Sequence, residues 1–332
     1  MDRRSLLRSV VSMGGASLVS MSASPSAQAA DTFHVAVCEQ NRNQILIHPA
    51  GEGWTPANQV WSWTPPSAIV DGVNTWNGLS DVKFRDTDAF GWVALVTASQ
   101  GKVGIVNFGD DDALLWSARP YGNPHAVERI PGIGAIVVAS SHASDRVDYP
   151  GFLTVYAPTD PNDPSTLRRV QEIRFQGAHG IWYDGSHLWA LGTWTLAKYR
   201  VNGDALSTRL EAAWVHTFSS PFNGHSLDTD YSDSGYLLIT GGGSVKRVHK
   251  ATGVISSMTP SDAGVKSYSR VRSGVSFWQQ AIAVTSPPSN GWWNTYIQFF
   301  NSSGERTYRR NLEGYGYEGH FYKARVSSTS FS

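Results

Sequence analysis

Residues 177–218 read GAHGIWYDGSHLWALGTWTLAKYRVNGDALSTRLEAAWVHTF. Four short runs in this stretch, HGIWYD, HLWALG, TLAKYRV and EAAWVHTF, have the length and the β-branched or aromatic content of strands. Gly, Asp, Asn and Ser residues separate the runs and predict tight turns, so that consecutive strands pair antiparallel. The stretch therefore predicts one four-stranded antiparallel sheet.

The same four-strand unit recurs along the chain. Six copies can be aligned on the residue that opens the first strand, namely Ser80, His125, His179, His225, Tyr268 and His320. The intervals between these positions are 45, 54, 46, 43 and 52 residues. Repeats of this size with four strands each are typical of β-propeller blades. We predict an all-β, six-bladed propeller, because a seventh blade would need a further unit that the sequence does not contain.

The sixth unit is divided between the two ends of the chain. Residues 320–326, HFYKARV, supply a first strand with no partners after it. Near the N-terminus, HVAVCEQ, QILIHP and QVWSWTP supply three strands with no first strand before them. We expect these halves to form one blade, which closes the ring and leaves only short sheet edges exposed.

The first thirty residues have the features of an export signal. Arg3 and Arg4 precede a mildly apolar stretch, and Ala27-Gln28-Ala29 matches a cleavage site. The paired arginines resemble the bacterial twin-arginine signal; a general secretory signal with two arginines is the alternative. We predict a signal at 1–30, a single propeller domain at 31–332, and a secreted or periplasmic protein exported after folding.

Charge and cysteine content exclude several function classes. Lys plus Arg and Asp plus Glu number 27 each, so no net charge attracts nucleic acid or an anionic membrane. Cys38 is the only cysteine, which excludes an intramolecular disulfide. We expect a soluble monomer with neither nucleic-acid nor membrane partners.

The aligned histidines form the candidate metal site. The first strand of each blade lines the central channel, so residues that open these strands should converge at one channel mouth. Neutral imidazoles on separate rigid strands are good transition-metal ligands. We predict a divalent metal such as Mn or Zn, bound by His125, His179, His225 and His320. The alternative is that these histidines join neighbouring blades by hydrogen bonds.

Two long loops should overhang the same mouth and contact a substrate. One is SSHASDRVDYPG at 140–151, with Arg146 and Tyr149; the other is SPPSNGWWN at 286–294, with Trp292 and Trp293. Indole faces stack on sugar rings, and indole N–H groups donate to hydroxyls. We therefore predict a carbohydrate substrate bound by these four residues, with packing against the blade as the alternative for the tryptophans.

The chain resembles a group of secreted bacterial β-propellers without assigned activity. The resemblance is carried by VAVCEQNRNQILIHP, GNPHAVERIP and GAHGIWYD. In architecture alone, the predicted fold is similar to that of propeller lyases acting on uronic-acid sugars, such as oligogalacturonate lyase. That similarity implies a histidine-bound metal that holds the uronate carboxylate. It is an analogy, because those lyases have seven blades and their motifs have no matching positions here.

These features together predict a metal-assisted lyase for uronic-acid-containing oligosaccharides or polysaccharides. Tyr268 and His142 are the predicted proton-transfer residues, and Arg270 is predicted to pair with the substrate carboxylate. Two alternatives stay open. One is a metal-dependent glycoside or lactone hydrolase, and the other is a non-enzymatic propeller that binds a glycan or a protein.

Overall fold

The computed structural model describes residues 33–109, 111–142, 150–281 and 291–331. This part of the chain contains 26 β-strands, and its helices are the short 3-10 turns Pro56–Asn58, Pro164–Thr166 and Ala205–Ser207. None of the described helices is long and apolar enough to cross a membrane. The predicted export signal and the predicted binding residues Arg146 and Tyr149 lie outside the described residues.

The described part of the chain begins with three strands and a small hairpin: β1 (His34–Glu39), β2 (Gln44–Pro49), β3 (Trp61–Trp63), β4 (Ile69–Val70) and β5 (Val73–Asn74). Blade one follows as β6 (Leu79–Thr87), β7 (Gly91–Ala98), β8 (Lys102–Asn107) and β9 (Leu114–Ala118). Blade two consists of β10 (Pro124–Ile130), β11 (Ala135–Ser140), β12 (Phe152–Ala157) and β13 (Arg168–Arg174). Blade three consists of β14 (Gly180–Tyr183), β15 (Leu188–Leu191), β16 (Thr195–Asn202) and β17 (Arg209–Thr217).

Blade four consists of β18 (Ser226–Thr229), β19 (Tyr236–Thr240), β20 (Val245–His249) and β21 (Ile255–Ser257). Blade five consists of β22 (Val265–Arg270), β23 (Ser276–Gln280), β24 (Ile297–Phe300) and β25 (Arg306–Arg310). The last strand, β26 (Phe321–Val326), pairs with β1 in a sheet of order β26-β1-β2-β3. The predicted six-bladed propeller, closed by strands from both termini, is confirmed.

Apolar side chains fill the spaces between blades. Trp61 of blade six packs edge-on against Phe84 of blade one, and Trp54 contacts both Phe299 of blade five and Phe321 of blade six in the same way. These side chains are buried. The side chains of a strand alternate between the two neighbouring blades, because the side-chain period of a strand is two. In β7, for example, Val93 and Leu95 pack with blade two, and Ala94 and Val96 pack with blade six.

Ion pairs fill the middle of the channel. The Arg325 Nε atom lies 2.6 Å from Asp81 Oδ1, and its Nη1 lies 3.3 Å from Asp228 Oδ2. Arg85 forms a bidentate pair with Glu128, with both N–O distances at 2.7 Å. All five side chains are buried, so each charge depends on its partner for stabilisation.

The C-terminal residues cover the end of the channel opposite the starts of the inner strands. The ring of Phe331 lies 4.3 Å from the Arg85 guanidinium carbon and 5.5 Å from the Tyr183 ring. The backbone carbonyl of Phe331 accepts a hydrogen bond from Trp182 Nε1 at 3.0 Å. These contacts restrict access to the channel from this end.

Candidate functional site

A β-bulge at the start of the inner strand places one residue of each of several blades at the channel mouth. In blades one, two and five the pairing register shifts across Ser80, His125 and Lys266. In blade six it shifts between Phe321 and Ala324, a stretch that contains Tyr322. A bulge leaves one residue without a cross-strand partner and redirects its side chain.

Blades three and four reach the same geometry through single hydrogen bonds. The N–H groups of His179 and His225 donate to Leu191 and Thr240, at 3.0 Å and 2.8 Å. Leu191 and Thr240 are also the cross-strand partners of Gly180 and Ser226. The residues at the mouth are therefore Ser80, His125, His179, His225, Lys266 and Tyr322.

Five of these side chains form one connected group, which we call the mouth cluster: His125, His179, His225, Lys266 and Tyr322. The imidazoles of His125 and His179 stack with their centroids 3.8 Å apart, and His225 meets His179 edge-on at 5.4 Å. The Tyr322 hydroxyl lies 3.1 Å from His125 Nδ1 and 3.4 Å from His179 Nε2. Lys266 Nζ lies 2.8 Å from His225 Nε2. Three of the four aligned histidines thus meet in the structure.

Ser80 completes the ring as its smallest member. Its hydroxyl donates to the Pro124 carbonyl at 2.7 Å and lies 2.9 Å from the Thr97 hydroxyl, and the residue is fully buried. Blade one lies between blades six and two. Because Ser80 is short, Tyr322 of blade six can reach His125 of blade two.

His320 does not join the cluster, which corrects the predicted four-histidine site. Its ring stacks on Trp293, with centroids 3.7 Å apart, and its Nε2 lies 3.6 Å from Glu318. The reason is register, because Tyr322, two residues later, occupies the mouth position of blade six.

Tyr268 requires the same correction in blade five. It is 1% exposed and packs among Leu238, Val245 and Trp278 between blades four and five. The bulge at Lys266 adds a residue, so the position two residues later faces a neighbouring blade. This placement gives no support to the predicted proton transfer by Tyr268.

Arg270 and His142 also lie apart from the cluster. Arg270 forms a bidentate ion pair with Asp230, with its Nε 3.0 Å from Asp230 Oδ1, so its carboxylate partner is already present in the protein. His142 is exposed and lines a cleft between blades one and two. The two residues therefore do not complete a catalytic group with Tyr268.

The predicted tryptophans lie together at the boundary of blades five and six. Trp292 is 44% exposed, and its Nε1 donates to Gln40 at 3.1 Å. Gln40 in turn donates to the Leu79 carbonyl, next to Ser80. Trp293 is held by its stack on His320. The exposed indole of Trp292 thus lies on the mouth side of the propeller, where a sugar ring could stack on it.

Burial keeps the imidazoles of the mouth cluster neutral. It lowers the pKa of His125 and of His179 well below the ordinary value, and the nearby positive charge of Lys323 adds to the effect. Burial and the Lys266 charge lower the pKa of His225 to about 3. Burial also lowers the pKa of Lys266 to about 8.

A second lysine, Lys323, donates hydrogen bonds to the backbone of the mouth cluster. Lys323 is fully buried, and its Nζ donates to the carbonyl of His125 at 2.7 Å and to that of His179 at 3.4 Å. Burial lowers the pKa of Lys323 to about 7. Among the described residues neither Lys323 nor Lys266 has a carboxylate within ion-pair distance. The mouth is therefore rich in donors and short of negative charge.

The predicted metal does not fit this arrangement. Within the described ranges, no group of three or more His, Cys, Asp or Glu side chains is arranged to hold a metal ion. The Tyr322 hydroxyl occupies the point that His125 Nδ1 and His179 Nε2 share, and Lys266 Nζ lies against His225 Nε2, so these ring nitrogens already have hydrogen-bond partners. The two lysines would also repel a cation. The metal content itself stays a prediction.

A local sequence signal identifies most of the mouth positions. Gly78, Gly177, Asn223 and Gly264 have φ angles of +69°, +62°, +51° and +73°, and each lies two residues before a mouth residue. Only Gly, and with some cost Asn, adopts this left-handed conformation readily. A search for Gly or Asn two residues before the mouth position would have selected Lys266 instead of Tyr268 in blade five. Blade six lacks the signal.

Comparisons with solved structures agree with the fold. The chain is similar to a "putative 6-phosphogluconolactonase" from Bacteroides fragilis, with 14% identity, a TM-score of 0.53, and coverage of 92% of this chain and 100% of that one. A protein of the same description from Bacteroides uniformis has 11% identity and a TM-score of 0.51, with 89% and 99% covered. Identities this low show a shared fold alone.

A comparison with functionally curated proteins gave no significant match. The resemblance to oligogalacturonate lyase accordingly stays a prediction. A family profile matches residues 9–325, nearly the whole chain. The protein therefore belongs to DUF6528, a family of unknown function.

Proposed function

We propose that this protein is an exported carbohydrate-active enzyme that binds an acidic sugar at the mouth cluster and cleaves it by elimination, as a uronate lyase. One observation carries the proposal. Lys266 lies at the mouth beside three imidazoles, without a carboxylate partner in the described part of the chain. A desolvated cation without a counter-ion is costly unless a ligand supplies the negative charge.

A carboxylate is the ligand chemistry that this site matches best. Lys266 can donate to a carboxylate oxygen, and the Tyr322 hydroxyl and imidazole N–H groups can donate to sugar hydroxyls. Bound negative charge would also raise the pKa of Lys266 and of the imidazoles towards their ordinary values. Substrate binding would thereby make the histidines stronger bases in the complex than in the free protein.

In the proposed reaction, His179 acts as the base. It is partly exposed and lies between His125 and His225, which fix its position by stacking and edge contact. It takes the proton from the carbon next to the carboxylate, while Lys266 stabilises the negative charge that develops on the carboxylate oxygens. The electron pair forms a carbon–carbon double bond, the bond to the glycosidic oxygen breaks, and that oxygen takes a proton from a water molecule.

A lactone hydrolase is the second candidate. It is favoured by the description of the two similar Bacteroides structures as candidate sugar-phosphate lactonases. The same cluster would then bind a phosphate or carboxylate through Lys266, and a neutral imidazole would activate water. The two candidates differ in product, because only elimination creates an unsaturated sugar that absorbs ultraviolet light.

The proposal is tested with purified full-length protein on a panel of polyuronates and sugar-acid lactones. We expect an unsaturated product from at least one uronate. His179→Gln should lower kcat by about 100-fold or more, which is typical of the loss of a general base. Lys266→Gln should raise KM and also lower kcat, because Lys266 both binds the carboxylate and stabilises the charge that develops on it during the reaction.

His216→Gln is the matched control, because His216 lies on the outer strand β17 and stacks on Trp214. It should leave the activity unchanged. Hydrolysis of a lactone with no unsaturated product would favour the second candidate. If no sugar acid binds or reacts, the enzymatic proposal fails and a binding function takes its place.

A further inference from the structure

A cleft of about 660 Å³ opens beside the mouth, between blades one and two. On one side it is lined by Val70 and Val73 of the β4–β5 hairpin. On the other side it is lined by Arg119 and Tyr121, which connect the two blades, and by His142. Its volume lies within the range of small-molecule sites, roughly 300–1,000 Å³.

Backbone hydrogen bonds hold the cleft residues next to the segments that lead into the mouth. The cleft residue Ser99 donates its N–H to the Gly78 carbonyl at 2.8 Å, and Gly78 lies two residues before Ser80. Asn123, another cleft residue, lies two residues before His125, and its carbonyl accepts the N–H of Ser141 at 2.9 Å. The cleft therefore borders the residues that immediately precede two of the mouth positions.

The walls have complementary chemistry. Val70 and Val73 give an apolar surface, and Val73 is 45% exposed. Arg119 offers a planar fork that matches a carboxylate, and it is exposed on the opposite wall. Asp71 is the one acidic residue among the described lining residues, and it lies at the turn of the hairpin.

We propose that this cleft is the subsite for the sugar next to the one held at the mouth cluster, with Arg119 pairing with that second carboxylate. The substrate is then an acidic oligosaccharide or polysaccharide and not a single sugar acid. The inference rests on the proposed function, because it takes the mouth as the site of the first acidic sugar.

The test compares monomers and trimers of galacturonate and of mannuronate by calorimetric titration. One trimer should bind the full-length protein at least about 10-fold more tightly than its monomer, because a second contact adds to the first. Arg119→Gln should remove this gain and leave the monomer affinity unchanged. Arg200→Gln, an exposed arginine on the strand β16 of blade three, is the control and should change neither affinity.

Lys266→Gln separates this inference from the proposed function. It should weaken the binding of monomer and trimer alike. Equal affinities for monomer and trimer, or a trimer affinity that Arg119→Gln leaves intact, would overturn the cleft subsite while the mouth site stands. If neither monomer nor trimer binds, both proposals are overturned.

Discussion

Replacing Lys266 by methionine should stabilise the unliganded protein while it abolishes anion binding. Burial lowers the pKa of this lysine from 10.5 to about 8, so the fold holds its charged form at a cost. A difference of that size corresponds to about 3 kcal/mol of unfolding free energy at neutral pH. Methionine keeps most of the apolar stem and removes the charge.

Part of the gain is offset at His225. Its Nε2 loses the hydrogen bond from Lys266, which costs about 1 kcal/mol at a partly exposed site. We therefore expect Lys266→Met to raise the unfolding free energy by about 2 kcal/mol at pH 7. The stability that wild type loses through Lys266 is typical of a functional residue, because active sites commonly hold groups that destabilise the free protein.

The pH dependence has a defined sign. Between pH 8 and 10.5 the unfolded chain keeps a proton on this lysine that the folded protein has released, so wild-type stability gains from this group as the pH rises. Lys266→Met lacks this contribution. The stability difference between the two proteins should therefore be largest below pH 8 and shrink as the pH approaches 10.5.

Urea unfolding at several pH values measures both effects. Lys246→Met, on the strand β20 of blade four, is the matched control and should show neither. A Lys266→Met protein that is less stable than wild type at pH 7, or whose advantage is independent of pH, would refute the view that Lys266 is an uncompensated cation.

Four further outcomes follow from the described contacts. Treatment with a chelator should leave uronate binding at the mouth unchanged in calorimetry; a loss restored by Mn or Zn would instead support the predicted metal. Arg325→Met leaves Asp81 and Asp228 buried without their cation, so urea unfolding should show a loss of about 3–5 kcal/mol, and a loss below about 1 kcal/mol would contradict the buried network. Deleting residues from 316 onward removes β26, so the protein should lose several kcal/mol or fail to fold, as circular dichroism would show; melting within a degree of the parent would contradict the closure of blade six. Phe331→Ala removes the ring that covers Arg85, and thermal melting should show a loss of about 1 kcal/mol with unchanged uronate affinity.

The blade architecture could be predicted from the sequence because its signals are local. Residues 177–218 carry four apolar runs and three sets of turn residues, and the structure forms β14 to β17 from them. The divided sixth blade was also predictable, since β26 has no partner after it and β1 has none before it. Each of these inferences needs only the period of a strand and the chemistry of turns.

The site was predicted in part for the same reason. His125, His179 and His225 lie two residues after a turn in their blades, and the repeat aligned them correctly. Lys266 and Tyr322 were missed because the alignment was two residues out of register in their blades: Tyr268 lies two residues after the mouth position of blade five, and His320 lies two residues before that of blade six.

The amino-acid sequence by itself determined the strands, the six repeats and the way the ring closes, because apolar periodicity and turn residues act over a few neighbours. Only the tertiary structure decided that Lys266 and Tyr322 meet the three histidines, that Arg270 already pairs with Asp230, and that Phe331 covers the far end of the channel. Those contacts join residues from different blades, and their geometry depends on strand register and ring closure, which no local stretch of sequence specifies.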